Sequence, residues 1–248
     1  MKIRGGELGV EMKLGNEPVT IADKRASDII VAGLGARFSD PIISEEVPIT
    51  DGTLAAERLW LVDPIDGTKD FIRGSDSFSV MVGLAQGGVP VLGVVYQPAI
   101  DRAFYATEAG AFVQTPDGTQ PLAVSDVATA ADVRLVISAS HRMPEIDRVK
   151  SELGITNELN VGSVGVKLCL IAMGVRDLYV NPAPKTKVWD TCAPQAILAR
   201  AGGTLTDLFG EPIDYHQLRQ PRGLLASNGH VHAEVVGKLT PLFESLRH

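Results

Sequence analysis

The chain has 248 residues, 45% of them hydrophobic and 21% charged, a composition of ordinary folded proteins that excludes disordered and fibrous classes. Its 30 acids against 23 lysines and arginines give a formal charge of −7, which leaves no basic footprint for a nucleic-acid backbone. No apolar run approaches the roughly 20 residues that cross a bilayer, and the N-terminal MKIRGGELGVEMK lacks the apolar stretch of a signal peptide, so a cytoplasmic protein without membrane contact is expected.

In chain order, Thr20 to Leu34 reads as the first helix, with Ala22, Ala26, Ile29, Ile30 and Leu34 on one face and Gly33 and Gly35 at its end. Thr20 and Asp23 have the spacing of a capping box. The apolar Pro41-Ile42-Ile43 then runs into Ser44-Glu45-Glu46, and one of these adjacent acids can face a site while the other faces solvent or a structural partner. Arg58 to Val62 reads as a buried strand that delivers carboxylates to a turn-rich tip, Asp63 to Thr68. Phe78–Ala85, Val89–Gln97 and Ala103–Thr107 follow as an antiparallel meander.

Further on, a strand is expected over Arg134–Ser138, a helix from Val164 to Met173 closing at Gly174, and a strand at Leu178-Tyr179-Val180. Asp190 opens the next helix, which stops at Gly202-Gly203. Thr204–Leu208 and Gly223–Ala226 supply two more strands, and Ser227 or Asn228 caps a final amphipathic helix to Leu246. Cys169 and Cys192 sit in apolar, helix-like segments without CxxC spacing and read as reduced core residues. Mixed strands and helices with early hairpins predict a layered α/β (α+β) fold with two sheets. No repeat or linker breaks the chain, so its halves, 1–125 and 126–248, are expected to form one compact unit.

The most informative string is Asp63-Pro64-Ile65-Asp66-Gly67-Thr68. Two carboxylates three apart at a strand end can converge on one hard cation such as Mg²⁺, with the Ile65 carbonyl as a further ligand. The same string is also an ordinary turn in which Asp and Gly satisfy local hydrogen bonds. Glu45, Asp23 and the Asp190 of Trp189-Asp190 are further candidate acids, although Asp190 also suits a helix N-terminus.

Taken in this order, the segments resemble the inositol monophosphatase-like family of metal-dependent phosphatases, through Thr20-Ile21-Ala22-Asp23, Glu45-Glu46, Asp63 to Thr68, and Trp189-Asp190 with the helix into Ala201-Gly202-Gly203. The match covers nearly the whole chain. Within the family the closer resemblance is to the 3′(2′),5′-bisphosphate nucleotidases, carried by Asp66-Gly67-Thr68-Lys69-Asp70-Phe71, Ser140-His141-Arg142, Gly162-Ser163 with Lys167, and Lys187 to Pro194.

The resemblance implies a layered αβαβα sandwich and Mg²⁺-dependent hydrolysis of a phosphomonoester by a metal-activated water, without a phosphoenzyme. It implies that Glu45, Asp63, Asp66, Asp190 and the Ile65 carbonyl hold two or three Mg²⁺, one position being open to inhibitory Li⁺. Four crowded carboxylates would otherwise repel one another strongly. By the same resemblance Asp23 and Thr68 activate the water, with Asp66 at the reacting centre. Gly67, Thr68, Ser140, His141, Gly162, Ser163, Lys167, Lys187 and Asp190 are implied to contact substrate. The second phosphate of a nucleotide bisphosphate needs cationic donors, and Arg142, Lys167, Lys185 and Lys187 are the available ones.

Inositol monophosphatases carry a glutamate shortly before the Trp-Asp motif, whereas no acid lies between Tyr179 and Trp189 here. The expected reaction is therefore removal of the 3′-phosphate of adenosine 3′,5′-bisphosphate, with inositol or sugar phosphates as alternatives and a non-catalytic phosphate-ligand binder as a remote one. Only about 20 residues precede the Thr20 motif, so the family's long first helix is expected to be short or absent, and either a monomer or a homodimer is compatible. An aspartyl-phosphate mechanism is excluded because it needs aspartates two apart, and Pro64 stands two before Asp66. No EF-hand pattern, third dinucleotide glycine or Walker Gly-Lys-Ser/Thr is present.

Overall fold

The computed structural model describes residues 8–13, 17–140 and 143–247. The first seven residues, which form part of the segment read for a signal sequence, lie outside them. In chain order the elements are β1 (Glu11–Met12), β2 (Pro18–Val19), α1 (Ile21–Gly35), β3 (Ile42–Ser44), β4 (Arg58–Asp66), α2 (Thr68–Ile72) and β5 (Ser79–Gln86). Next come β6 (Val89–Gln97), β7 (Arg102–Thr107), β8 (Gly110–Thr115), β9 (Gly118–Pro121), β10 (Leu135–Ser138), α3 (Glu145–Leu153) and β11 (Glu158–Val161). The chain finishes with α4 (Val164–Ala172), β12 (Leu178–Asn181), α5 (Val188–Arg200), β13 (Thr204–Thr206), β14 (Leu224–Ser227) and α6 (His232–Leu239).

Strands β3 to β9 form a seven-stranded sheet in sequence order, antiparallel except for the parallel pair β3–β4. A five-stranded sheet has the order β11-β10-β12-β14-β13, parallel over its first three strands and antiparallel beyond. Helices α4 and α5 pack between the sheets, α1 against β3 and β4, and α3 and α6 beyond the second sheet, which gives the expected αβαβα layering. Period-two alternation explains it: Leu59 and Leu61 of β4 join the core with α4 and α5, while Ser44 of β3 turns to α1 and bonds Ser27 at 2.7 Å. Cys169 and Cys192 are buried and free, as expected.

Helix α5 lies directly on the seven-stranded sheet because Gly83 and Gly93 face each other across β5 and β6. A Cβ on Gly93 would come 2.1 Å from the Ala193 carbonyl oxygen, and one on Gly83 would come 2.7 Å from the Ala193 nitrogen. The next residue, Pro194, lies inside the helix and has no N–H to return to the carbonyl one turn earlier.

Several expectations need correction. Ile29 is 74% exposed, because α1 buries Ala22, Asp23 and Ser27, and this rotation gives the inner face partly to polar groups. The strand after Arg58 does not turn at Asp63 but runs to Asp66, with its register against β5 shifting between those residues, as a chain containing Pro64 requires. The helix of Trp189-Asp190 starts at Val188, so Asp190 is its third residue rather than its cap. The final helix ends at Leu239 and continues as two 3-10 turns, Thr240–Leu242, which contains Pro241, and Glu244–Leu246, and Val231 rather than Ser227 or Asn228 precedes it. Asn228 instead ties the loop down through Ser125, Val127 and the Val231 nitrogen.

Candidate active site

The C-terminal ends of β3, β4, β10, β11 and β12 and the first turns of α4 and α5 surround a cleft of about 510 Å³. Its wall includes Glu45, Asp63, Ile65, Asp66, Gly67, Thr68, Ser140, Gly162, Lys167, Lys187 and Asp190, so acids up to 145 positions apart in sequence reach one place. Parallel pairing of β3 with β4 sets the Glu45 backbone against Val62, one residue before Asp63. The register shift in β4 then lets Asp63 and Asp66, which odd spacing in a regular strand would send to opposite faces, both reach the cleft. Gly67 sits at φ 91°, and a Cβ there would approach the Ser77 carbonyl to 3.0 Å, so glycine fits this corner where other residues strain.

Asp66, Asp190, Glu45 and Asp23 are each held by a protein donor. Asp66 Oδ2 accepts the Ser163 hydroxyl at 2.5 Å and the Gly165 N–H at 2.8 Å, which fastens β4 to the start of α4. Asp190 Oδ2 accepts the Lys187 N–H at 2.8 Å. Lys13 bridges Glu45 at 3.1 Å and Glu46 at 2.5 Å. Asp23 accepts from Thr20 N–H and Oγ at 2.8 and 2.6 Å with one oxygen, while its other accepts the Thr68 hydroxyl at 3.2 Å. The capping box and the link to Thr68 thus coexist in one side chain. Thr68 Oγ1 also lies 3.1 Å from the Ile65 carbonyl, so its single proton is shared between two acceptors.

The electrostatics are those of a cleft short of positive charge. Burial, followed by repulsion from Glu45, Asp66, Asp190 and Asp23, pushes the Asp63 carboxyl well above the usual range. Burial and then Glu45 do the same to Asp190. Asp66 is also raised by burial, against the opposing pull of Lys167 and the Ser163 and Gly165 bonds. Asp63 Oδ1 is buried without a hydrogen-bond partner among the described residues. An all-oxygen donor set, mutual repulsion and an unpartnered buried carboxylate oxygen together fit a hard divalent cation. Ser163, Lys187 and Lys13 hold the side chains of this set, and no three acids among the described residues stand close enough together to form a cage by themselves.

Two sequence expectations come out differently. Ser163 is fully buried and off the cleft wall, where it caps α4 through the Val166 N–H and anchors Asp66 rather than facing a substrate. Lys167 borders the cleft but is 1% exposed, and its ammonium lies on the Val161 and Gly162 carbonyls and over the Tyr179 ring. Burial brings its pKa down to about 8, with Asp66, Asp70 and Asp190 opposing that fall. Asp23 stands behind the cleft wall and meets it through the Thr68 hydroxyl, the pairing expected of it. His141 and Arg142 lie outside the described residues.

Sequence reasoning missed Lys13, whose separation of 32 positions from Glu45 leaves no local signal, and Asp70, which accepts the Ser140 hydroxyl at 3.0 Å on the cleft wall. Gly162 makes room for Asp70: a Cβ there would sit 2.3 Å from Asp70 Oδ2.

Comparison with known proteins places these features in context. The model of the inositol monophosphatase family matches residues 2–243. The chain is 38% identical over 210 residues to the 3′(2′),5′-bisphosphate nucleotidase CysQ of Escherichia coli, covering 84% of this chain and 83% of that protein. It is 32% identical over 241 residues to the histidinol-phosphatase of Mycobacterium tuberculosis, covering 94% and 88%. Among solved structures, the Thermotoga maritima IMPase superposes with a TM-score of 0.83 at 27% identity over 99% of this chain and 92% of that one.

Proposed function

The chain belongs to the inositol monophosphatase family and is a phosphatase; from that premise we propose that it removes the 3′-phosphate of adenosine 3′,5′-bisphosphate, giving AMP and phosphate, with Mg²⁺ as cofactor. The observation that carries the substrate reading is the wall from Asn181 to Lys187, which borders the cleft with Lys185 and Lys187 and contains no acid. A wall of that charge suits a substrate with a second, anionic phosphate better than a polyol whose further groups are neutral hydroxyls. Identity to the bisphosphate nucleotidases over most of the chain supports the same reading.

In this reading Glu45, Asp63, Asp66, Asp190 and the Ile65 carbonyl hold two or three Mg²⁺. When bound, these ions supply positive charge for the phosphoryl oxygens and lower the pKa of the attacking water. Asp23 orients the Thr68 hydroxyl, and Thr68, whose proton is directed to Asp23 or Ile65, can accept a hydrogen bond from that water. Ser163 and Gly165 fix the rotamer of Asp66 from behind. Gly67, Ser140, Gly162 and Lys187 border the substrate, while Lys167 offsets buried negative charge beneath it.

Phosphate release from adenosine 3′,5′-bisphosphate, inositol 1-phosphate, fructose 1,6-bisphosphate and histidinol phosphate, each with Mg²⁺, tests the proposal. The nucleotide is expected to show the highest kcat/KM. Faster hydrolysis of any of the other three would reject the nucleotide reading and name its replacement.

A further inference from the structure

Of the lysines that border the cleft, Lys185 alone is both exposed and without an ion pair or hydrogen bond among the described residues. Lys167 is buried on two carbonyls. Lys187 reaches Glu17 at 3.3 Å and lies 5.1 Å over the Trp189 ring, with its side chain 17% exposed. Lys69 has partners of its own.

The segment that carries Lys185 is built to hold its place. Pro182 and Pro184 each fix a backbone angle, and Pro182 is buried. Asn181 closes the loop from inside: its Oδ1 accepts the Ala183 N–H at 3.1 Å and its Nδ2 donates to Thr186 Oγ1 at 3.1 Å. The Thr186 carbonyl in turn accepts the Gln220 N–H at 2.9 Å. A short proline-stiffened strap, pinned on both sides of one unpaired ammonium, loses little backbone freedom when it binds a ligand.

We infer that Lys185 is the distal anion-binding group of the cleft and receives a second phosphate that the substrate carries beyond the scissile ester. The inference rests on the phosphatase reading of the cleft but not on the substrate being a nucleotide. Apolar Met143, Ala183 and Pro184 also border the cleft and offer nonpolar surface to the part of the substrate between its two phosphates. An ammonium held here acts on affinity rather than on bond cleavage, because the acids of the reacting centre stand on other elements, β4 and α5 and the turn after β3.

The test uses paired substrates that differ by one phosphate: adenosine 3′,5′-bisphosphate against adenosine 3′-monophosphate, and fructose 1,6-bisphosphate against fructose 1-phosphate, with Mg²⁺ present. In Lys185→Ala, the KM preference for the two-phosphate member of whichever pair is hydrolysed should fall about tenfold, the modest effect of an exposed charge-assisted contact. Its kcat for that member should move little, and Lys185→Arg should restore the preference. An unchanged preference in Lys185→Ala, or an equal KM rise for both members of a pair, would overturn the inference. A wild-type enzyme with no preference for the second phosphate would overturn it too. A Lys185 effect seen with the fructose pair alone, without nucleotide turnover, would uphold the inference and remove the nucleotide reading, so the two can fail separately.

Discussion

Replacing Ser163 with alanine should weaken both the fold and the site, because one hydroxyl serves both. Its proton goes to Asp66 Oδ2 at 2.5 Å, so the neighbouring Ser79 hydroxyl, 2.9 Å away, must donate to it. Its oxygen also accepts the Val166 N–H at 3.0 Å and so caps α4. Loss of the cap costs about 1 kcal/mol, and loss of a buried bond to a carboxylate costs roughly 1.5–3 kcal/mol. The sum, roughly 2.5–4 kcal/mol, corresponds to a fall in Tm of roughly 5–15 °C for a chain of this size. Ser163→Gly retains most of the capping preference and should lose about 0.5–1 kcal/mol less than the alanine variant. In both, Asp66 keeps only the Gly165 bond, and kcat should fall on the order of ten- to a hundredfold as the carboxylate loses its fixed rotamer. Calorimetry and phosphate release on the same preparations measure the two effects. A Ser163→Ala enzyme that melts within about 1 °C of wild type and keeps its turnover would refute the reasoning.

Thr68→Ala should slow hydrolysis by roughly a hundredfold, the scale of general acid–base effects, with Mg²⁺ affinity by titration calorimetry nearly unchanged; a parallel loss of affinity would contradict the division of roles. Asp66→Asn should abolish most turnover by removing a ligand charge, and near-normal rates in a phosphate-release assay would reject that assignment. Gly93→Ala drives a Cβ to 2.1 Å from the Ala193 carbonyl and should cost about 3 kcal/mol or more, whereas Gly237→Ala, in an open helical position, should gain about 0.5–1 kcal/mol; denaturant midpoints compare them. The Asp177 carboxylate is buried, which favours its neutral form, but bonds from Arg134 and Ser125 outweigh burial and hold it below its ordinary value of 3.8. A depressed folded pKa means its contribution is complete above that value and disappears as pH falls through the lower, folded one. Asp177→Asn should therefore be less stable than wild type at neutral pH, with the gap narrowing below about pH 4 in urea melts at stepped pH.

Much of the site was legible because its motifs are local in sequence. The Thr20–Asp23 capping box, the Asp63–Thr68 string and the Trp189-Asp190 helix start each declare a backbone shape over a few residues, and each forms close to where it was expected. A layered fold with two sheets follows from hydrophobic periods of two and 3.6, which bury one face of each element and force layers to stack, whereas the αβαβα order was implied by the family resemblance. Pairings that depend on position in space were not legible. Nothing in the spacing shows that Lys13 bridges Glu45 and Glu46, that Ser163 turns away from the cleft to hold Asp66, or that Lys167 lies beneath the acids rather than among their ligands.

The reason is the difference between inventory and direction. Sequence supplies which charges and hydroxyls exist and roughly which turn carries them, and local propensities suffice for that. Whether a side chain points to solvent, to a substrate or to another side chain depends on rotations settled by contacts from distant segments. The inward turn of Asp23 and Ser27 on α1, the register shift between Asp63 and Asp66, and the glycine seat under Ala193 are such decisions. They gather acids from β4, α5 and the turn after β3 around one cleft, and they leave Lys185 at its edge with its charge unmet among the described residues.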